Sequence, residues 1–345
     1  MVRSALWAAA AAAVLACGTA EASSSVSRPT TLVTRNTVVA LAVDGARVAV
    51  RVSLKLKSGV VCDSALFWRP GGKVSRIPKR GCDFDAPSSA FDSLTLARTR
   101  LVWVDHVYGN FSYCYGPFTA TLKALKPVRI PNGVCDRLDG GQDSDWDFAG
   151  TGNFWVARSY EYCDDCETGP PNQEDNVKLY SLTGGRFAKL ASLPNDTRLE
   201  DAEDGQILLR QGATLQVVDT HGKPQASVQL AKPPTAALLS GNDLVAAVAG
   251  SLLTYDPATG ALRATWAMAT GGRFRGLAGG RALYVVGNDL HLLRLSDGQD
   301  TVVATVPGLA HRQAHPQLTR AGLFYVAKNH RGGRVTFVPT AQLPA

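Results

Sequence analysis

Short apolar runs bounded by turn residues recur along the chain at regular spacings. Val48-Ala49-Val50-Arg51-Val52, Leu101-Val102-Trp103-Val104 and Phe154-Trp155-Val156-Ala157 come first. Ile207-Leu208-Leu209, Leu244-Val245-Ala246-Ala247-Val248, Leu283-Tyr284-Val285-Val286 and Leu323-Phe324-Tyr325-Val326 follow. Their first residues are separated by 53, 53, 53, 37, 39 and 40 positions. Fixed periods of this size mark repeat architectures, so seven runs predict seven units.

The fifth unit is the clearest. Ala236 to Leu239, Leu244 to Val248, Leu252 to Tyr255 and Leu262 to Trp266 read as four strands. Between them lie Ser240-Gly241-Asn242-Asp243, Ala249-Gly250 and Asp256-Pro257-Ala258-Thr259-Gly260. Gly and Asn accept the positive φ of tight hairpins, and Pro fixes a turn dihedral. A Gly recurs in the third-to-fourth turn at Gly185, Gly222, Gly260 and Gly298, at spacings of 37, 38 and 38. The strands show no 3.6-residue period, which argues against helical solenoids. Tandem β-sandwiches would need a longer repeat, near 90–100 residues per domain.

Four antiparallel strands in about 38 residues describe a β-propeller blade. The expected fold is therefore all-β: a seven-bladed β-propeller of four-stranded antiparallel blades over residues 23–345. The seventh unit offers His315 to Thr319, Leu323 to Ala327 and Arg334 to Val338, and lacks its outermost strand. Thr30 to Thr34 is expected to supply that strand, so that the N-terminal segment closes the ring and removes an exposed edge.

The stretch from Leu252 through Asp256-Pro257-Ala258-Thr259-Gly260 to Trp266 resembles the repeat of pyrroloquinoline-quinone-type, or quinoprotein-like, propellers. Those repeats run apolar strand, Asp-x-x-Thr-Gly, then a strand ending in Trp. Asp219-Thr220-His221-Gly222 and Ser296-Asp297-Gly298 are weaker forms of the same turn. The resemblance implies a fold. It carries no catalytic or cofactor residue onto this chain, because the motif shapes a turn and docks an aromatic ring.

The first three units are about 15 residues longer than the later ones, judged from the spacings above. The extra length is expected mainly after the second strand. Cys62, Cys114 and Cys163 each lie a similar distance beyond the start of that strand. Cys82 and Cys135 follow 20 and 21 residues after Cys62 and Cys114. In a four-stranded blade the second-to-third loop and the loop leaving the fourth strand lie at one end. Cys62–Cys82 and Cys114–Cys135 are therefore the expected bridges, out of fifteen formal pairings of six cysteines. Cys163-Asp164-Asp165-Cys166 is expected to close on itself. Zinc or redox chemistry at this motif is the alternative, although zinc needs two more ligands and acidic neighbours oppose a reactive thiolate.

The N-terminus reads as a targeting segment. Arg3 precedes an apolar run from Ala5 to Ala16, and Ala20-Glu21-Ala22 offers a cleavage site. Residues 1–22 are therefore expected to be a removed signal peptide, and the rest to be secreted and disulfide-permissive. Val14-Leu15-Ala16-Cys17 also resembles a lipobox, which would lipidate Cys17 and anchor the protein to an envelope. Both features lean bacterial. No segment reaches the eighteen apolar residues of a membrane span.

Composition adds a basic balance, +7 overall, with 45% hydrophobic residues. The charge is uneven. Residues 136–175 hold eleven acidic and two basic side chains, while 28–135 and 178–345 are both net basic. Asp143, Asp145 and Asp147 alternate within the acidic stretch and are candidate calcium ligands. Calcium takes six to eight oxygens, and this segment lacks the Gly and terminal Glu of an EF-hand loop. A solvated acidic loop, or a docking patch for a basic partner, are the competing readings. Of the six His, His311 and His315 flank the entry to the last unit, and His221 and His330 sit in turns. No Gly-x-Ser-x-Gly, P-loop, dinucleotide fingerprint or His-Glu-x-x-His occurs.

These features predict an extracellular binding or interaction module, monomeric, that takes a protein or carbohydrate ligand on the loops of units one to three. Nucleic acid is not an expected partner. The alternatives are a propeller enzyme with a calcium site (a hydrolase, lyase or quinone-dependent oxidoreductase) and a lipid-anchored envelope assembly factor.

Overall fold

The computed structural model describes residues 28–344 apart from 56–60, 84–91, 98–99, 110–111, 131–134, 138–141, 152–153, 164–176, 184–185, 310–314 and 330–331. Cys17 and Cys166 lie outside the described residues, as does the whole targeting segment.

Seven antiparallel sheets make the seven expected blades. Blade one contains β2 (Thr37–Asp44), β3 (Arg47–Lys55), β4 (Val61–Trp68) and β5 (Ser75–Asp83). Blade two contains β6 (Asp92–Ala97), β7 (Arg100–Gly109), β8 (Ser112–Thr121) and the short β9 (Val128–Arg129). It adds a fifth strand, β10 (Cys135–Arg137), on β8. Blade three contains β11 (Gln142–Thr151), β12 (Phe154–Cys163), β13 (Val177–Thr183) and β14 (Arg186–Leu193). Blade four contains β15 (Thr197–Glu203), β16 (Gln206–Gln211), β17 (Thr214–Asp219) and β18 (Pro224–Gln229).

Blade five contains β19 (Ala236–Ser240), β20 (Asp243–Val248), β21 (Ser251–Tyr255) and β22 (Leu262–Ala267), within a residue of the expected bounds. Blade six contains β23 (Arg273–Ala278), β24 (Arg281–Val286), β25 (Asp289–Arg294) and β26 (Asp300–Thr305). Blade seven contains β27 (Gln317–Thr319), β28 (Gly322–Asn329) and β29 (Gly332–Pro339). Its outer strand is β1 (Thr30–Thr34), paired antiparallel with β29 from Thr30 opposite Phe337 to Thr34 opposite Gly333. The N-terminal strand therefore closes the ring, as expected.

The first strands β2, β6, β11, β15, β19, β23 and β27 touch in that order, and β27 returns to β2. They form the inner wall of the ring. The core lies in layers between blades. One cluster joins Val48, Val50 and Trp68 of blade one to Phe324, Val335 and Phe337 of blade seven. Another joins Leu208, Leu215 and Val217 of blade four to Leu239, Leu244 and Ala246 of blade five. Each sheet is covered on both faces, which explains strands that are apolar at consecutive positions.

The recurring turn glycine has a packing reason. A Cβ on Gly298, which has φ +74°, would lie 2.4 Å from the Trp266 ring of the preceding blade. At Gly260, φ +72°, it would lie 2.8 Å from the Ser227 carbonyl oxygen of blade four. The preceding blade's outer strand closes over each turn, so the position needs both a left-handed backbone and no side chain.

The extra length resides only partly where expected. In blade three thirteen residues lie between the second strand β12 and the third strand β13, as expected, whereas in blades one and two much of it lengthens the strands themselves, and blade seven shares those long strands. The second and third strands have nine and eight residues in blade one and ten and ten in blade two. Blade seven has eight and eight. Blades four, five and six have six and six, six and five, and six and six. Four more residues carry a hairpin about 13 Å further. Cys62 thus falls on the third strand β4 instead of the loop before it, and Cys135 falls on β10.

Candidate binding site

The inner strands enclose a cavity of about 570 Å³ in the central channel. All seven first strands contribute to its wall, mostly from their second halves, near the turns that lead outward. Two walls are charged, and the backbone sets both. In β15 the register slips between Leu199 and Asp201, making Glu200 an extra residue. In β23 it slips between Phe274 and Gly276, making Arg275 the extra residue. A β-bulge breaks the two-residue alternation and re-aims a side chain. Glu200 and Arg275 sit at matching places before their turns and bring opposite charges to one cavity.

Blade four supplies the acidic wall. Arg210 Nε donates to Glu200. Asp201 accepts the Ala202 N–H at 2.8 Å and, across the blade boundary, the Leu239 N–H at 2.8 Å. Burial, reinforced by Glu200, pushes the Asp201 carboxyl from 3.8 up to about 6 despite those two donors. Asp201 keeps a little surface on the cavity, but protein surrounds it on every side. Glu203 is pushed from 4.5 up to about 7, first by burial and then by Asp201, with Arg320 opposing. Arg320, in the turn after β27, donates to Glu203 at 3.2 Å and to Asp204 at 2.8 Å. This ion pair runs from blade seven to blade four at the turn end of the channel. Thr319 Oγ1 pins the same turn to the Gly45 carbonyl of blade one at 2.8 Å.

Blades six and seven supply the basic wall. Arg275 is half-buried and lines both the cavity and a neighbouring crevice with Arg273 and His315. Burial and the adjacent Arg273 hold the Arg275 guanidinium below its ordinary range. Burial, then Arg275 and Arg273, lower His315. Arg273 and His315 precede or begin their strands, so this wall reaches the end of the channel where the long hairpins stand.

The residues singled out in the sequence distribute as follows. Asp143, Asp145 and Asp147 all lie on β11, on one face by the two-residue period. Asp147 is engaged by Arg158 at 3.0 Å, and Arg158 Nε also donates to the Thr197 carbonyl of blade four at 2.6 Å. The side chains of Asp143 and Asp145 lie outside the described residues. Among the described residues no group of three His, Cys, Asp or Glu is placed to hold a metal ion. Cys114 and Cys135 are direct partners in the β8–β10 register. Cys62 falls between the pairs Val61–Asp83 and Asp63–Arg80, opposite the bulged segment that carries Cys82. Cys163 is the last residue of β12. His221 sits exposed in its turn, and His311 and His330 lie outside the described residues.

Sequence reading missed the acids of blade four, Arg273, Arg275 and Arg320. The available signal was charge inside a first strand: Leu199-Glu200-Asp201-Ala202-Glu203 and Arg273-Phe274-Arg275.

No protein-family model matches this chain, and no curated protein matches it. Solved β-propellers do. The β-propeller domain of the trilobed protease from Pyrococcus furiosus, described as having an open velcro topology, aligns at 8% identity and TM-score 0.54, over 88% of this chain and 95% of its own. The Cps50 (Swd1) β-propeller domain of Myceliophteria thermophila aligns at 12% identity and TM-score 0.50, over 90% and 98%. BamB from Moraxella catarrhalis aligns at 12% identity and TM-score 0.45, over 88% and 85%. At these identities the likeness is one of fold.

Proposed function

We propose that this chain is an exported binding module whose protein or carbohydrate ligand docks on the face raised by blades seven, one, two and three. The observation that carries this reading is the contiguous run of long hairpin strands in those blades, the second and third strands of blades seven, one and two and the second strand of blade three. A rigid ring that extends its hairpins in one sector of one face is suited to presenting a contact surface. The charged channel opens on that same face through Arg273 and His315, which gives a docked ligand a polar recess to reach.

Two further parts belong to the reading. Export is supported by the Arg3, Ala5 to Ala16 and Ala20-Glu21-Ala22 pattern, and lipid anchoring at Cys17 is the variant that fatty-acid labelling detects. Bridges Cys62–Cys82 and Cys114–Cys135 are supported by the strand register. Cys62 is fully buried.

The test is a binding screen of the full mature chain on peptide and glycan arrays. It is followed by a variant whose β7–β8 hairpin is cut back to the six-residue strands of blade four. The expected hit loses about tenfold or more in affinity, roughly 1.4 kcal/mol, on shortening. It is expected to keep its affinity in Arg263→Gln, on the opposite end. A ligand whose hydrogen-exchange footprint covers the third-to-fourth-strand turns overturns the reading.

A further inference from the structure

Blades six and seven hold three basic groups that line one crevice, with no acid among its described lining residues. Arg273 and Arg275 come from β23, and His315 enters β27. Together with Val285, Leu309 and Pro316 they line one crevice, and Arg275 opens it to the channel cavity. Several arginines elsewhere are matched: Arg51 with Asp63, Arg158 with Asp147, Arg210 with Glu200, Arg263 with Asp256, Arg294 with Asp297. Among the described residues Arg273, Arg275 and His315 make no ion pair or side-chain hydrogen bond. What they exert on one another is repulsion. A half-buried guanidinium without a partner is costly, because desolvation is not offset by any opposite charge. The β23 bulge nevertheless turns Arg275 into the channel instead of leaving it in solvent.

We propose that Arg273, Arg275 and His315 form an anion-binding site that holds an oxoanion group of a small ligand, a carboxylate or a phosphate, at the hairpin end of the channel. Guanidinium groups match the planar or tetrahedral oxygens of such anions with two parallel N–H donors each. The site goes beyond the docking reading and stands whether or not the hairpins bind anything. The cavity behind it, about 570 Å³, falls within the size range of small-molecule pockets. Its acidic far wall on blade four repels a second anionic group. The ligand therefore carries its anion at one end and a neutral or cationic remainder toward Glu203.

The experiment follows the His315 ring by NMR in the full mature chain at low salt, with inorganic phosphate and acetate as separate probes. The free protein is expected to titrate His315 below 6.5. Saturating anion is expected to move that midpoint upward, because bound negative charge favours the imidazolium. Phosphate acting alone identifies a phosphate site, and acetate acting as well identifies a general carboxylate and phosphate site. Arg275→Gln is expected to weaken the anion effect about tenfold or more. It is also expected to raise Tm, because it removes a repulsive, unpartnered charge, whereas a structural arginine would lower it. Should that variant fail to fold, Arg273→Gln carries the same expectation for binding. No saturable shift with either anion up to about 20 mM, a Kd weaker than that of ordinary metabolite sites, overturns the proposal. An anion effect that survives Arg275→Gln overturns it as well.

Discussion

Blades four to six and blades seven to three solve the same packing problem with different amounts of chain. In the first group, Asp219, Asp256 and Asp297 each fold back onto their own turn. Asp219 accepts the His221 and Lys223 N–H groups, Asp256 those of Ala258 and Thr259, and Asp297 that of Gln299. The backbone donors hold the Asp219 carboxyl below the usual range, and Arg263 and Arg294, ahead of the backbone donors, do the same for Asp256 and Asp297. Gly260 and Gly298 then let the preceding blade close over the turn. In the second group the second strands, and in blades seven, one and two the third strands as well, run longer than those of the first group. The inner strand of each blade is held between the inner strands of its neighbours, whereas the second-to-third hairpin can lengthen without disturbing that ring. Length accumulates where packing leaves the chain unconstrained, and such ends are where binding surfaces are built.

The comparison makes the two halves breakable by different means. Blades one and two are expected to depend on their bridges, which close loops of about 20 residues worth roughly 3 kcal/mol each in the chain-entropy model. Reductant is therefore expected to lower the unfolding free energy by several kcal/mol in total. Hydrogen exchange should accelerate first in β4, β5, β8 and β10, while β15 to β26 stay protected. Non-reducing peptide mapping reads the pairing directly, and a Cys82–Cys114 link would contradict the strand register.

The regular half should break at its turns instead. Gly298→Ala places a methyl group 2.4 Å from the Trp266 ring at a left-handed φ. Overpacking and backbone strain together are expected to cost about 2–4 kcal/mol. Gly250→Ala has an equally left-handed φ, +83°, but nothing within 4 Å of the added methyl. It is expected to cost only about 1 kcal/mol. Chemical denaturation of the two variants separates the packing role from the conformational one, and equal losses would remove the interlocking-blade explanation.

How much of this was readable beforehand follows from the same physics. Turn glycines, Asx residues and strands apolar on both faces are local signals, so the blade pattern and the Thr30–Thr34 closure could be read from residue types. The channel could not. Glu200 and Arg275 reach it because each is the extra residue of a bulge, and a bulge breaks the alternation from which a facing direction is inferred. Arg320 lies in a Thr-Arg-Ala-Gly turn, which reads as solvated, until the ring brings it to Glu203, 117 positions away. Asp147 was legible as a candidate ligand, but its partner Arg158 on the facing strand was not.

The boundary between the halves also carries a pH signature. Asp201 and Glu203 bind protons more tightly folded than unfolded, with values of about 6 and about 7 against 3.8 and 4.5. Stability contributed by these groups is present below the unfolded values and falls as pH rises through the folded ones. Asp201→Asn removes one such group. The variant keeps one carbonyl oxygen for two backbone donors, so it should be less stable than the parent at pH 5 by about 1 kcal/mol. It should then gain about 1 kcal/mol on the parent between pH 5 and pH 8. Parallel stability curves for the two proteins would mean that Asp201 is ionised at an ordinary pH.

The smallest expected effect distinguishes a strut from a charge regulator. Arg320 is 58% exposed, and of its partners Asp204 is 61% exposed and Glu203 14%. Solvent screening limits an exposed pair of this kind, so Arg320→Gln should cost less than about 1 kcal/mol at neutral pH. Its effect on Glu203 should be larger, because Arg320 is the charge that opposes burial and Asp201 there. Without it the Glu203 midpoint should rise above about 7, read from the side-chain carboxyl resonance. The loss of stability with rising pH should then shift to higher pH by the same amount. A midpoint that stays in place would mean that solvent screens the guanidinium fully, and that the acidic wall of blade four is set by burial alone.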